Sequence, residues 1–266
     1  MMYRITPVVK NLLIINVLLF LATYVVSFQF DFDLTKKLAL FYPGSQYFHP
    51  YQLVTYMFMH GGWAHIFFNM YALWMFGTAI ENAWGGKQFL FYYLFTGLGA
   101  AALHMLVSFF IFSGMESAIT AFTNSPSPEL FKQFVESHRD YFNQNVYDFI
   151  HQWSMTPGDP GYAATAKLHM HRIYESSINI PTVGASGAIY GILLAFGMMY
   201  PNAQLMLIIP PIPIKAKWLV ICMGAIALVL GISMPGSKIA HFAHLGGMLF
   251  GYILIRYWIA QSRQKN

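Results

Sequence analysis

Long apolar stretches separated by short polar segments run through most of the chain. A helix that crosses a bilayer needs about 20 largely apolar residues, and six stretches come near that length. They are residues 12–28, 60–80, 89–112, 182–200, 218–234 and 239–260. The pattern predicts an all-α membrane protein with a bundle of six transmembrane helices. The first stretch lacks a small-residue cleavage signature, so we expect a retained span rather than a removable signal.

The segment between the third and fourth stretches, residues 113–181, is different in composition and is called the insert below. It is rich in Pro, Gly, Ser and Asn. Irregular backbone does not lie in lipid, because nothing there satisfies its N–H and C=O groups. The insert is therefore predicted to be extramembrane. The chain then divides into core helices 1–3 in residues 1–112, the insert, and core helices 4–6 in residues 182–266.

The apolar positions inside the insert indicate some helical structure. Their spacing over residues 129–147 predicts one amphipathic helix. Aliphatic residues are scarce in the insert, which argues against a hydrophobic core of its own.

Composition supports the membrane class and excludes others. The chain is 57% hydrophobic and 9% charged, whereas soluble domains average about 25% charged. The net charge is +5, but Lys and Arg are not clustered, so no nucleic-acid partner is predicted. With Cys222 as the single cysteine, no disulfide within the chain is possible.

Basic residues are unevenly distributed between the two sides of the predicted bundle. With the N-terminus in the cytoplasm, the inner segments hold Arg4, Lys10, Lys87, Lys215, Lys217, Arg256, Arg263 and Lys265. The short outer segments hold Lys36, Lys37 and Lys238. Because cytoplasmic loops are enriched in Lys and Arg and long loops are exempt from the rule, both termini are predicted to be cytoplasmic. The six-span form and the lack of a transit-like N-terminus favour a multi-pass protein of the bacterial plasma membrane.

Polar residues gather at three places within the apolar stretches. These places are residues 60–69, 184–191 and 241–251. Polar groups inside a membrane are costly and usually functional. In the predicted topology all three clusters lie at the outer ends of their helices, so Ser186, His244, His65 and Asn69 share one depth. His65 and Asn69 are four residues apart and therefore lie on one helix face.

The chemistry that these residues suggest is acyl transfer. A serine hydroxyl such as that of Ser186 is a weak nucleophile until a base takes its proton, and His244 is a candidate base. Gly184 and Gly187 leave room for a carbonyl group, and a helix N-terminus supplies free N–H groups for an oxyanion. No acidic residue shares this depth, so the residues predict a Ser–His dyad rather than a triad.

Each of these features is also compatible with a role in packing alone. Small residues are common wherever membrane helices pack, and Gly247 and Gly251 form a Gly-x-x-x-Gly pair that allows close helix approach. His104 and His241 are interpreted as packed polar residues. His169 and His171 in the insert have no evident third ligand, so no metal site is predicted.

At the three clusters the chain resembles the rhomboid family of intramembrane serine proteases. Residues 60–69, with the pattern His-x4-His-x3-Asn, are similar to the family's second core helix. Residues 184–191, with Gly-Ala-Ser-Gly, resemble its fourth, and residues 243–251 resemble its sixth. The resemblance covers residues 11–112 and 181–256 and leaves the insert out.

The resemblance implies a water-filled active site that faces outward, with Ser186 as nucleophile and His244 as general base. The implied oxyanion hole consists of His65, Asn69 and the Ser186 backbone N–H. Tyr190 would pack against the His244 ring. The supporting and packing residues would be His60, Gly184, Gly187, Gly247 and Gly251. The implied substrates are single-span membrane proteins within the lipid bilayer, and no metal or organic cofactor is implied.

Three other classes remain as alternatives. A transporter or channel would place polar residues deeper through the bundle, and few lie beyond His104. An inactive rhomboid relative that binds membrane clients would typically lack the serine or the histidine, and this chain has both. A zinc protease would carry His-Glu-x-x-His, which the sequence does not contain.

Overall fold

The computed structural model describes residues 4–206, 211–233 and 240–264. Nearly all of the regular structure is helical. The α-helices are α1 (Pro7–Phe30), α2 (Leu34–Leu38), α3 (Gln52–Thr55), α4 (Trp63–Ala72), α5 (Thr78–Trp84), α6 (Gly86–Asn124), α7 (Pro128–Ser137), α8 (Asn145–Met155), α9 (Pro160–Ile178), α10 (Ser186–Met199), α11 (Ala216–Ser233) and α12 (His241–Gln264). Strands β1 (Gln204–Met206) and β2 (Pro213–Lys215) pair antiparallel between α10 and α11.

Within the described ranges, four helices are long and apolar enough to cross a membrane: α1, α6, α11 and α12. This finding agrees with the predicted all-α membrane protein. The other two predicted spans differ from expectation. Residues 182–200 are helical only over Ser186–Met199, and the second span is one helix from Trp63 to Trp84 with a π-helical turn at Leu73–Gly77. The predicted span ends at residues 234 and 239 lie outside the described residues.

Helix α6 is much longer than the predicted span of residues 89–112. It continues without a break from Gly86 to Asn124, a length of 39 residues. At about 1.5 Å per residue it extends about 58 Å, whereas a hydrocarbon core is about 30 Å thick. The first part of the insert, residues 113–124, is therefore a direct continuation of a core helix.

The prediction of one helix over residues 129–147 is wrong. Helix α7 ends at Ser137, a 3₁₀ turn follows at Arg139–Tyr141, and α8 begins only at Asn145. The Asn143 side chain accepts a hydrogen bond from the Asn145 backbone N–H. Such a local turn competes with helix continuation.

The insert has a hydrophobic core, contrary to the expectation from its few aliphatic residues. Helices α7, α8 and α9 pack with the far end of α6 around Phe122, Phe131, Phe134, Trp153 and Met170, all nearly inaccessible to solvent. Aromatic side chains bury large areas. They supply here the apolar surface that a count of aliphatic residues overlooks.

The insert is joined to the loop that follows α2. The Ser45 hydroxyl donates to Asn179 Oδ1 at 2.6 Å. Tyr174 in α9 donates to the Glu116 carboxylate of α6, and its ring lies against Phe112. Burial and the neighbouring Glu116 raise the pKa of the Tyr174 hydroxyl, so this group stays a hydrogen-bond donor at neutral pH.

Helices α6, α10 and α12 form the centre of the bundle and approach one another through glycine. A Cβ added at Gly247 in α12 would collide with the backbone carbonyl of Gly187 in α10. A Cβ at Gly246 would lie 2.8 Å from the Gly99 carbonyl oxygen of α6. Small residues at helix contacts allow this close backbone approach. The approach brings the first turns of α10 and α12 side by side.

The N-terminus of α1 is held by a buried carboxylate. Glu81 in α5 is 4% exposed, and its two oxygens accept from the backbone N–H groups of Val8 at 3.0 Å and Val9 at 2.9 Å. These N–H groups have no partner within a helix, and the helix dipole favours a negative charge beside them. Glu81 therefore fixes the N-terminus of α1 against α5.

Candidate active site

Ser186 and His244 meet where α10 and α12 begin. Ser186 is the first residue of α10 and His244 the fourth of α12. The Ser186 Oγ lies 2.8 Å from His244 Nε2, within the range of a hydrogen bond between a nucleophile and its base. With a neutral imidazole, the serine O–H donates to Nε2, which is the arrangement that proton transfer to the base requires.

Tyr190 holds the plane of the His244 ring. The two rings are stacked with centroids 4.2 Å apart and an angle of 5° between their planes. Tyr190 lies four residues after Ser186, so it projects from the same face of α10. One helix therefore presents both the Ser186 hydroxyl group and the aromatic ring on which His244 stacks.

His65 and Asn69 lie against the backbone of Gly184, two residues before Ser186. A Cβ added at Gly184 would be 2.7 Å from His65 Nε2 and 3.6 Å from Asn69 Nδ2. Gly184 has a φ of +124°, a conformation that only glycine adopts readily. Both the backbone angle and the lack of a side chain are therefore needed for the two donors to approach this segment.

The hydrogen-bonding state of His65 and Asn69 follows from their surroundings. The Gly61 backbone N–H donates to His65 Nδ1 at 3.4 Å, which leaves Nε2 as the protonated nitrogen on the side of Gly184. Asn69 Nδ2 is buried and makes no hydrogen bond to any described residue. His60 is 6% exposed and packs edge-on against His65, with ring centroids 5.1 Å apart.

A single cavity of about 1080 Å³ contains all of these side chains. Its walls come mainly from α4, α10, α11, α12, residues 60–62 and the connecting segment of residues 179–183. Among the described residues, no Asp or Glu lines the cavity. Among the described cavity residues, Tyr190 is the ring stacked on His244, and no carboxylate accompanies it.

The structure thus brings together all the residues that the sequence proposed for the reaction: Ser186, His244, His65, Asn69 and Tyr190. Gly187 lies at the contact between α10 and α12, as described above. Gly251 lies beside Tyr92 of α6. Sequence reasoning missed Asn179, Ile180 and Met223, which line the cavity. No motif marks these three, because their position depends on tertiary packing.

The family model that describes the rhomboid domain matches residues 47–133 and 160–261, which together make up most of the chain. The chain belongs to the rhomboid family. The predicted family and the multi-pass membrane fold are thereby confirmed. Within the predicted insert of residues 113–181, the family match covers residues 113–133 and 160–181 and omits only residues 134–159.

Three curated rhomboid relatives are similar to shorter parts of the chain. Rhomboid protein 1, mitochondrial, of Saccharomyces cerevisiae is 29% identical over 86 residues, 32% of this chain and 24% of that protein. Rhomboid protease GluP of Bacillus subtilis is 38% identical over 68 residues, 26% of this chain and 12% of that protein. Rhomboid-like protein 11, chloroplastic, of Arabidopsis thaliana is 40% identical over 57 residues, 21% of this chain and 20% of that protein. The matched regions thus span no more than 24% of the length of these relatives.

Proposed function

We propose that this rhomboid protein is an intramembrane serine endopeptidase that cleaves transmembrane segments of other membrane proteins with a Ser186–His244 dyad. The observation that supports it most is the 2.8 Å contact between Ser186 Oγ and His244 Nε2. The similarity to a relative named as a rhomboid protease supports the same reaction class.

The proposed reaction has two acyl-transfer steps. His244 takes the Ser186 proton while Oγ attacks the scissile carbonyl carbon, and a tetrahedral oxyanion forms. His244 then gives the proton to the leaving amine as the peptide bond breaks, which leaves an ester on Ser186. A water molecule, deprotonated by His244, hydrolyses this ester and restores the free serine.

The oxyanion would be stabilised by donors that are already in place. We assign this role to His65 Nε2–H, Asn69 Nδ2–H and the backbone N–H of Ser186. The Ser186 amide is at the N-terminus of α10, where no side chain caps the helix, so the helix dipole acts at the same point. Donors of this kind stabilise charge that develops only in the transition state.

The substrates we propose are single-span membrane proteins in the lipid bilayer. The cavity that holds the dyad lies among helices of a membrane bundle and is lined largely by apolar residues. A transmembrane helix would have to unwind locally before its peptide carbonyl reaches Ser186. The predicted orientation, with cytoplasmic termini in a bacterial plasma membrane, would place the cleavage site near the outer surface.

A serine-directed fluorophosphonate tests the nucleophile independently of any substrate. We expect the protein in lipid vesicles to form one covalent adduct, mapped to Ser186 by peptide mass spectrometry, and to lose cleavage of a single-span reporter in parallel. Labelling should require His244, because an unactivated serine reacts slowly. A chelator should leave cleavage unchanged. An adduct at another serine, or cleavage that persists after complete labelling, would contradict the dyad.

We further propose that the insert, residues 113–181, is an extramembrane unit that affects substrate access. Its last residues continue into the cavity wall at Asn179, Ile180 and Pro181. Its two ends are close together, because Tyr174 of α9 lies against Phe112 of α6 with ring centroids 6.3 Å apart. The whole unit is therefore removable without a large gap in the chain.

A deletion of residues 113–177, closed by a linker of about four Gly and Ser residues, is expected to raise KM about tenfold for reporters with a folded extramembrane domain, a size typical of coupling between distinct sites. Fluorophosphonate labelling of Ser186 should persist, because the dyad is on α10 and α12. Cleavage kinetics over several reporters would be compared with those of the full chain. Unchanged kinetics for every reporter would refute the role in access.

A further inference from the structure

A histidine within the apolar part of α6 is hydrogen-bonded to the segment that precedes Ser186. His104 Nε2 lies 2.9 Å from Thr182 Oγ1. We propose that His104 is a positioning residue for the reaction, which fixes the backbone of residues 182–184 and through it the oxyanion donors and Ser186. This inference assumes the proposed proteolytic function and adds a residue to it.

Residues 181–184 connect α9 to α10 and are not helical; Thr182 forms an isolated β-bridge with Leu40. Leu40 pairs with Thr182 through two backbone hydrogen bonds of 2.9 and 2.8 Å. The Gly184 N–H donates to the Tyr56 carbonyl at 2.9 Å. These backbone contacts restrain the segment on the side of Leu40 and Tyr56. His104 supplies the contact from the opposite element, α6.

Helix α6 restrains the segment at two points on one face. His104 contacts Thr182 directly, while the Gly97 carbonyl accepts from the hydroxyl of Tyr56 at 2.7 Å, and the Tyr56 carbonyl accepts from Gly184. Gly97 and His104 are seven residues apart, so they lie on the same side of the helix two turns apart. The contact from His104 and the contacts from Gly97 through Tyr56 to Gly184 therefore restrain the segment together.

The position of His104 in an apolar helix calls for a polar partner. His104 is partly buried in the apolar part of α6, 18 residues after the helix begins at Gly86. Polar groups within an apolar span are expensive unless they are paired. Thr182 supplies this partner.

The effect of His104 on catalysis follows from the short distance along the chain between Thr182 and Ser186. Gly184, which lies against His65 and Asn69, is two residues after Thr182, and Ser186 is four residues after it. A shift of Thr182 therefore displaces both the Gly184 backbone and the amide of Ser186. A misplacement of about 1 Å in such a site lowers turnover by up to about 100-fold, while the affinity for a long transmembrane segment depends mostly on other contacts.

The test is a mutant cycle in lipid vesicles with a single-span reporter. His104→Leu and Thr182→Val should each lower kcat about tenfold, the cost of one lost hydrogen bond of about 1.4 kcal/mol, with KM changed less than about twofold. The double variant should be no slower than the slower single variant, because both changes break one contact. The conservative variants His104→Gln and Thr182→Ser should recover most of the loss.

The matched control is Ser108→Ala, a small change one turn further along α6 at a residue with 8% exposure. It should leave kcat unchanged. The inference is overturned if the kcat of His104→Leu is unchanged, as in this control, or if only KM changes. It is also overturned if the two losses in kcat multiply to about a hundredfold in the double variant. Thr182→Val removes one hydroxyl at nearly constant volume, so it decides the question should His104→Leu fail to fold.

The proposed function and this inference fail in different ways. If the unmodified protein neither cleaves the reporter nor reacts with a fluorophosphonate at Ser186, the proteolytic function is refuted. If it does both, and the rate of Ser186 labelling is the same in His104→Leu, the proteolytic function stands and the positioning role of His104 is refuted.

Discussion

Replacement of Ser186 with alanine is expected to lower the turnover of a reconstituted single-span reporter by at least about 10³-fold, as for other serine nucleophiles. The Oγ that lies 2.8 Å from His244 is the atom that would form the acyl-enzyme. His244→Ala should cost about as much, because serine and base act as a unit. For the same reason the double variant should be no slower than either single one.

The measurement is the rate of fragment formation in vesicles at matched protein levels, with KM followed separately. Substrate binding uses other surfaces, so KM should change little. Ser108→Ala is the matched control, since it removes the hydroxyl of a buried serine in α6. Cleavage by Ser186→Ala at a rate near that of the control would exclude the dyad and favour a rhomboid protein that binds membrane clients without cutting them.

Gly247→Ala is expected to impair both folding and catalysis, although it adds one methyl group. The new Cβ would collide with the Gly187 carbonyl, and a backbone atom in a packed helix yields only if α12 moves away from α10. Overpacking of this kind costs about 1–3 kcal/mol. Because His244 is on the same turn of α12, its ring would also leave Ser186, and turnover should fall by about 100-fold.

Gly114→Ala is the control, because nothing lies within 4 Å of the added Cβ in α6. There alanine should be neutral or stabilise the helix by up to about 1 kcal/mol. Thermal unfolding in detergent and reporter turnover would be measured for both variants. If Gly247→Ala matches Gly114→Ala in both measurements, close contact between α10 and α12 does not position the dyad.

The membrane class was predictable because it depends on local composition. Runs of apolar residues over about 20 positions are rare in proteins that do not cross a membrane. The length of α6 was not predictable in this way, since the residues after Phe112 are mixed in polarity and their helicity depends on packing with α7 and α9. The core of the insert was missed for a related reason. Its apolar area comes from aromatic rings such as Phe131 and Trp153.

The candidate site could be predicted in part, because depth in a membrane can be counted along a helix. Ser186, His244, His65 and Asn69 fall at one depth in any arrangement of the predicted spans. Contacts between residues on different elements could not be predicted in this way. The 2.9 Å bond between His104 and Thr182 joins residues 78 positions apart, and no spacing rule predicts such a pair.

The unbroken course of α6 has a mechanical consequence. Because one helix runs without a break from Gly86 to Asn124, the bundle and the insert share a helix at this junction and no loop separates them. A displacement of the insert would therefore reach the face of α6 that contacts Thr182. In the proposed protease, the position of the insert and the alignment of Ser186 would be coupled through this helix.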